Sequence, residues 1–184
     1  GLRLDIAMCL DECPAADASR EEIEMAVKRT SLWAEASMVA WKDGGAGDEG
    51  RKLFGIVQGG RFEELRMQSA EELVKLGFPG YAVGGVSVGE TEEEMLEQVQ
   101  WTVRLLPDDK PRYVMGVGTP PQLLKMIGMG ADMFDCVMPS RAARHGTAYT
   151  RFGALNLRNE RFRDDFSALD EETDCYVSKE FSKA

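Results

Sequence analysis

No apolar stretch of this sequence is long enough to cross a bilayer. Every hydrophobic run is broken within a few residues by charge, and the N-terminus lacks the basic and then apolar order of a secretory signal. A membrane span and secretion find no support, so the expected location is the cytoplasm. A disulfide framework is lacking as well. Cys9, Cys13, Cys136 and Cys175 show no paired spacing, and a chain of 184 residues does not need covalent staples, so reduced thiols are expected. Histidine occurs once, at His145 in an arginine-rich segment, where a solvent-facing ring is expected. Basic charge is scarce: 22 Lys and Arg stand against 32 Asp and Glu, a net charge of -10. That balance argues against a broadly basic nucleic-acid-binding surface, because such affinity rests on neutralising phosphates.

What is present is an ordinary globular composition, 43% apolar and 29% charged, with no signature of disorder. The basic charge that exists is local. Arg141, Arg144, Arg151, Arg158, Arg161 and Arg163 face a single acid, Glu160, between residues 140 and 163, while the acids crowd 21–24, 63–72 and 90–97. These arginines fit either a polyanion contact or a balance for the acidic faces.

Apolar strand-like runs alternate with amphipathic helix-like runs, the pattern of parallel β/α units. Strands are expected at 4–10, 53–57, 81–86, 113–117 and 131–137. Ser19-Arg-Glu-Glu22 and Thr91-Glu-Glu-Glu94 read as capping boxes, with Ile23, Val27 and Ala34, then Met95, Val99 and Val103, turned inward. A helix from about 62 to 76 stops at Gly77, and Thr119-Pro120 opens another with a capping hydroxyl and a well-placed proline. The glycine-rich 43–50 segment reads as a surface loop, and 156–159 as a short strand entering an irregular extension. The expected fold class is α/β, a partial (β/α)8 TIM barrel over residues 1–150 with a C-terminal extension over 151–184. A complete eight-stranded barrel takes about 250 residues, so this one is expected to be truncated at both ends.

In such a fold reactive groups gather at the C-terminal ends of the strands. Asp135 ends the fifth strand directly ahead of the arginine cluster, which suggests covalent chemistry on a polyanion. It also fits a turn cap. Asp132 competes with it, although on a strand positions 132 and 135 face opposite sides. Asp11 and Gln58 end the first two strands and offer a carboxylate acceptor and an amide. Gly85 permits close approach to its backbone, and Met115 could pack on a flat ring. Each has a plainer reading: a helix-entry cap for Asp11, a turn amide for Gln58, a strand-end bend for Gly84-Gly85, core filling for Met115. Glu90 has a weaker claim, since it precedes a Glu-rich helix.

Five ordered segments go further: Asp11-Glu-Cys-Pro14, Phe54-Gly-Ile-Val-Gln-Gly-Gly60, Tyr81-Ala-Val-Gly-Gly-Val-Ser-Val-Gly-Glu90, Pro111-Arg-Tyr-Val-Met-Gly-Val-Gly118, and Asp132 to Arg144. Together they resemble the tRNA-guanine transglycosylases, in order and at nearly the family's spacing. The resemblance implies exchange of guanine at the tRNA wobble position for a 7-deazaguanine, in queuosine biosynthesis, with Asp135 as the covalent nucleophile. It implies base binding by Asp11, Gln58, Gly85 and Met115. It implies tRNA contacts through Gly116, Val117, Gly118, Thr119, Pro120, Pro121 and Gln122, and through Ser140, Arg141, Ala142, Ala143 and Arg144. Relatives act as dimers, so a homodimer of the full-length protein is expected.

Two departures qualify the match. The family's zinc site, Cys-x-Cys-x-x-Cys with a later histidine, corresponds here to Thr173-Asp-Cys175-Tyr-Val-Ser178, so only Cys175 remains and no metal or other cofactor is expected. The family's general base, in an Asp-Ser-Gly-Gly motif, has no counterpart in this sequence, so full turnover by this chain alone is not expected. Beside the enzyme stand two other readings: a non-catalytic accessory subunit or tRNA-binding remnant, and an unrelated β/α enzyme acting on a phosphate ester. The last leaves Asp11, Gln58 and Asp135 without a common purpose.

Overall fold

The computed structural model describes residues 4–45, 47 and 49–184. Two compact units divide it, the first ending at Cys136 and the second running Val137–Ala184. Of the expected 43–50 loop, Ala46 and Asp48 lie outside the described residues.

The first unit alternates strand and helix throughout. β1 (Ile6–Met8), β2 (Lys52–Val57), β3 (Gly80–Val83), β4 (Arg112–Val114) and β5 (Met133–Phe134) are separated by α1 (Arg20–Asp43), α2 (Glu63–Leu76), α3 (Glu92–Val103) and α4 (Pro120–Gly128). The sheet order is β1-β2-β3-β4-β5, and every pair is parallel. Parallel crossovers are right-handed as a rule, and in unbroken sequential order they keep winding the chain the same way, so successive helices meet. That is barrel winding, not the doubly wound order that reverses at a switch point. The unit is thus an α/β fold with a curled five-strand half-barrel.

Central strands read as continuous apolar runs because both faces are covered. Leu53, Phe54, Ile56 and Val57 are all buried, as are Tyr81, Ala82 and Val83. Gly80 pairs with Phe54 across the ladder, and a Cβ there would lie 2.4 Å from the Phe54 ring, so the ring occupies the space the glycine vacates. Helix faces complete the core with Ala34, Met38, Ala70, Leu73, Met95, Val99 and Met126.

Both expected capping boxes form, the Ser19 side chain accepting from the Glu22 N–H and Thr91 from the Glu94 N–H, with each glutamate bonding back. Thr119 takes the N-cap place of α4 with Pro120 next, but its hydroxyl makes no capping bond. The strands are shorter than the apolar runs suggest. The Gly84 N–H makes the last bond to β2, at the Val57 carbonyl, and the strand ends there because Gly85 turns with φ +62. Val86 stays buried beyond the ladder, so hydrophobicity outruns hydrogen bonding there.

The second unit opens with α5 (Met138–Arg144), followed by an antiparallel hairpin of β6 (Thr147–Thr150) and β7 (Gly153–Asn156), a 3-10 turn at Glu160–Phe162 and α6 (Tyr176–Glu180). A boundary at residue 150 falls inside this hairpin; the chain divides after Cys136 instead, because α5 packs on β6. The strand expected at 156–159 is corrected likewise. β7 ends at Asn156, whose side-chain oxygen accepts the Arg158 N–H at 3.1 Å and turns the chain. Asp170, almost fully buried, ties the unit together by accepting the backbone N–H groups of Arg151 and Glu172.

Leu73 is fully buried in the core between α2 and the sheet, whereas Ser19 is an exposed cap. Leu73→Ala is expected to cost about 2–5 kcal/mol of stability and Ser19→Ala about 1 kcal/mol. Chemical denaturation of the two variants checks the ordering; equal losses would contradict the assigned core.

Candidate active site at the strand ends

Asp11, Gln58, Gly85, Met115 and Asp135 belong to the first unit and follow the C-terminal ends of its parallel strands. They form two clusters. In the first, Gln58 follows β2 and is buried, with its backbone N–H on the Ser69 hydroxyl at 3.1 Å. Its side-chain Nε2 donates to Asp11 Oδ2 at 2.7 Å, joining the ends of β1 and β2. Gln58 Oε1 is buried and has no hydrogen-bond partner among the described residues. A buried amide oxygen without a donor costs free energy, and a ligand N–H would recover it. One N–H of the amide is thus spent on Asp11, and its oxygen is left as an unpaired acceptor. Gly85 closes the cluster: a Cβ there would stand 2.5 Å from Gln58 Oε1, and its φ of +62 is itself a glycine conformation.

The second cluster surrounds Asp135, just beyond β5 and exposed. Its Oδ1 accepts the Tyr113 hydroxyl at 3.0 Å and the Gly116 N–H at 3.2 Å. No partner on Oδ2 occurs among the described residues. The carboxylate is therefore held by one oxygen and offers the other. Burial, with the adjacent Asp135 carboxylate, pushes the Tyr113 phenol up to about 12, so it remains a hydrogen-bond donor through the neutral range. Met115 is half-buried against the core, its N–H on the Val83 carbonyl at 3.3 Å. No direct contact joins Asp135 to the Asp11–Gln58 pair among the described residues; the loops after β3 and β4 lie between, with Gly116 against Ser87.

Asp132 does not compete. It lies at the opposite end of β5, where its carboxylate accepts the Arg112 N–H at 2.9 Å. Glu90 serves the loop after β3: its two oxygens accept the N–H groups of Ser87 and Val88 and hold Ser87 at φ +61, a conformation side-chain-bearing residues avoid. Cys13 sits beside the first cluster, and burial raises its thiol pKa.

The expected RNA-contact residues fall in two places. Gly116 to Thr119 form the turn from β4 into α4, with Gly116 at φ +75, and Pro120, Pro121 and Gln122 are the first residues of α4. Gly118 packs so tightly that a Cβ would meet Cys136 Cβ at 2.2 Å. Ser140, Arg141, Ala142, Ala143 and Arg144 are in α5 of the second unit, and both arginines are exposed. His145 caps that helix and is exposed, its Nδ1 2.7 Å from the Arg141 carbonyl oxygen. Arg151 bonds Glu172, Arg163 pairs with Glu160, Arg158 donates to the Arg144 carbonyl and Arg161 lies over the Phe162 ring. Arg141 and Arg144 have no ion pair among the described residues.

Cys175 sits at the N-cap of α6, its N–H on the Thr173 hydroxyl at 3.4 Å, with Ser178 buried one turn on. Hydroxyls are poor stand-ins for thiolates, so Thr173 and Ser178 beside Cys175 do not reproduce a three-thiolate set. The donors present do not fit a tetrahedral zinc site.

Sequence reading missed Arg66, whose guanidinium is completely buried behind both glycine-rich loops, and its partners Gln98 and Thr102. A signal existed: in α2 the inward positions are Leu65, Arg66, Ser69, Ala70 and Leu73, and an arginine on an apolar helix face is out of place.

The family model described as Queuine tRNA-ribosyltransferase matches residues 1–184. Curated relatives carrying that name include those of Staphylococcus haemolyticus, 49% identical over 180 residues, and Mesorhizobium japonicum, 52% identical over 180, each alignment covering 98% of this chain but 46% and 47% of the relative. The relative from Halothermothrix orenii is 48% identical over 183 residues, 48% of its own length. The chain spans about half the length of these curated relatives. With a match along its whole length and the strand-end groups in place, the chain belongs to the queuine tRNA-ribosyltransferase family.

Proposed function

We propose that this chain supplies the nucleophile and the base pocket of a tRNA-guanine transglycosylase that replaces guanine at the anticodon wobble position with a 7-deazaguanine. The observation that carries the reading is Asp135, anchored through Oδ1 and open at Oδ2 beyond a barrel-type strand. Asp135 Oδ2 attacks C1′ of the ribose as the glycosidic bond breaks. The bonding electrons leave on the guanine nitrogen, which takes up a proton, and an acyl ester links protein to ribose. The incoming base then attacks C1′, gives up its proton and releases the carboxylate. Two inversions amount to retention, and protons balance over the cycle.

The Asp11–Gln58 pair suits a guanine-type edge. A carboxylate accepts from ring and exocyclic N–H groups, and the partnerless Gln58 oxygen accepts a further one. A site that leaves such groups unpaired rejects bases lacking the matching donors. Arg141 and Arg144 would hold tRNA phosphates, offsetting the few kcal/mol spent on extruding the base.

Asp135→Asn is expected to abolish a covalent tRNA adduct on denaturing gels; an adduct that survives the change sinks the assignment. Tyr113→Phe removes one donor to a charged acceptor and is expected to lower kcat roughly ten- to a hundredfold with little change in the melting temperature. Unchanged kcat would leave the phenol without a role. Arg141→Ala and Arg144→Ala are each expected to reduce the slope of log affinity for tRNA against log salt by about one. A slope equal to that of the unmutated protein would remove that arginine from the interface.

A further inference from the structure

The reaction above uses no atom of Arg66, yet among the described residues this is the bulkiest side chain fully removed from water. It reaches from α2 into the space behind the loops that follow β2 and β3, and every guanidinium N–H has a partner. Nε donates to the Gly60 carbonyl at 2.6 Å. One terminal nitrogen donates to the Gly84 carbonyl at 3.1 Å and the Thr102 hydroxyl at 3.3 Å, the other to the Gly85 carbonyl at 3.0 Å and Gln98 Oε1 at 2.7 Å. Thr102 in turn donates to the Gln98 carbonyl at 2.8 Å. All five acceptors are oxygens of neutral groups. Burial pushes the guanidinium down to about 10, with the Glu90 carboxylate opposing the shift, so it stays charged at neutral pH.

Three of those acceptors are loop carbonyls flanking the candidate base pocket, and this separates the network from ordinary core packing. A trans peptide directs its C=O and N–H oppositely. Holding the Gly84 and Gly85 carbonyls on Arg66 therefore turns the N–H groups of Gly85 and Val86 away from it. Holding Gly60 fixes the turn after Gln58. Gly59 belongs to the same device: a Cβ there would lie 2.5 Å from the Arg66 backbone nitrogen and 2.6 Å from its Cγ, so the loop closes over the first turn of the arginine's helix only as glycine.

We propose that Arg66, supported by Gln98 and Thr102, is a positioning residue for base recognition: its planar fork sets the peptides at Gly84-Gly85 and the Gln58-Gly59-Gly60 turn so that they present their polar groups to a guanine-type base. This rests on the base-pocket reading of Asp11 and Gln58. Lysine keeps the charge but concentrates its donors on one nitrogen, which cannot span acceptors on both sides of a guanidinium.

The test uses the protein expressed from its full gene, with free guanine as the probe, in calorimetric titration and in exchange of labelled guanine into tRNA. Arg66→Lys is expected to raise the guanine Kd and KM about tenfold or more while the KM for tRNA moves less than about twofold. Gln98→Met, which leaves the fork in place but strips one acceptor, moves guanine KM the same way by less. Leu73→Ala, a core cavity away from the loops, loses stability with guanine KM unchanged. Guanine KM unaltered in Arg66→Lys, or guanine and tRNA constants rising together as stability falls, overturns the proposal. If Arg66→Lys does not fold, Gln98→Met decides, and an unchanged guanine KM there overturns it too. Failure of the unmutated protein to bind or exchange guanine is a different result: it removes the base-pocket reading, and the proposal with it.

Discussion

A guanidinium taken wholly out of water is tolerable only when each of its N–H groups has an acceptor, because desolvating a charge costs several kcal/mol that unpaired donors cannot recover. In the first unit that requirement organises more than one element. Arg66 stands on α2, Gln98 and Thr102 on α3, and the remaining acceptors are the glycine carbonyls after β2 and β3. Helix packing, loop conformation and the glycine residues at 59 and 85 are consequences of one another. A side chain at either glycine would collide with Arg66 or with Gln58, and without the loop carbonyls the arginine would be uncompensated. The C-terminal end of the strands is thus built around a polar core, whereas the layer between strands and helices is apolar and filled by size.

The same logic explains how an acidic chain can suit a polyanion. Four of the six arginines counted between residues 140 and 163 are engaged within the second unit, by Glu172 and Asp170, by Glu160, by a backbone carbonyl and by a phenyl ring. Net charge therefore says little about RNA affinity here. The two arginines of α5, exposed and without an ion pair among the described residues, leave a short, specific basic feature. The acidic first turns of α1, α2 and α3 are explained by helix ends, since carboxylates there face the positive pole of the helix dipole.

The strand and helix order was legible because period and caps agree: Ser19 and Thr91 form the capping boxes their spacing promises, and Gly77 ends α2 in the left-handed conformation. Strand ends were less legible. Residues such as Val86 and Val117 are buried beyond the ladder, and burial rather than pairing is what an apolar pattern reports. The hairpin at residues 147–156 lacked alternation because its burial is only partial on both faces. At the site, Asp11, Gln58 and Asp135 were readable as polar groups at strand ends. Tyr113 looked like a strand residue, and its bond to Asp135 depends on the pairing of β4 with β5, which no local pattern encodes. Arg66 broke the helix pattern and so carried a signal, but its partners come from three separate segments.

The chemistry proposed for Asp135 sets two demands that pull against each other. A carboxylate must be basic enough to attack C1′, yet stable enough as an anion to leave again when the second base arrives. Strong donors help departure and hinder attack. Tyr113 and Gly116 both bond Oδ1, so neither shields Oδ2, and neither donor is charged. With the phenol pushed up to about 12 beside the carboxylate, the tyrosine proton stays on its own oxygen while Asp135 is charged, and the bond slackens as that charge is lost on ester formation. In the ester Oδ1 becomes the carbonyl oxygen and keeps the same two donors, so neither direction of the exchange requires the site to reorganise. A base-exchange enzyme needs that near symmetry, because the bond it forms in the first half must be broken in the second at the same carbon by a nucleophile of almost the same structure.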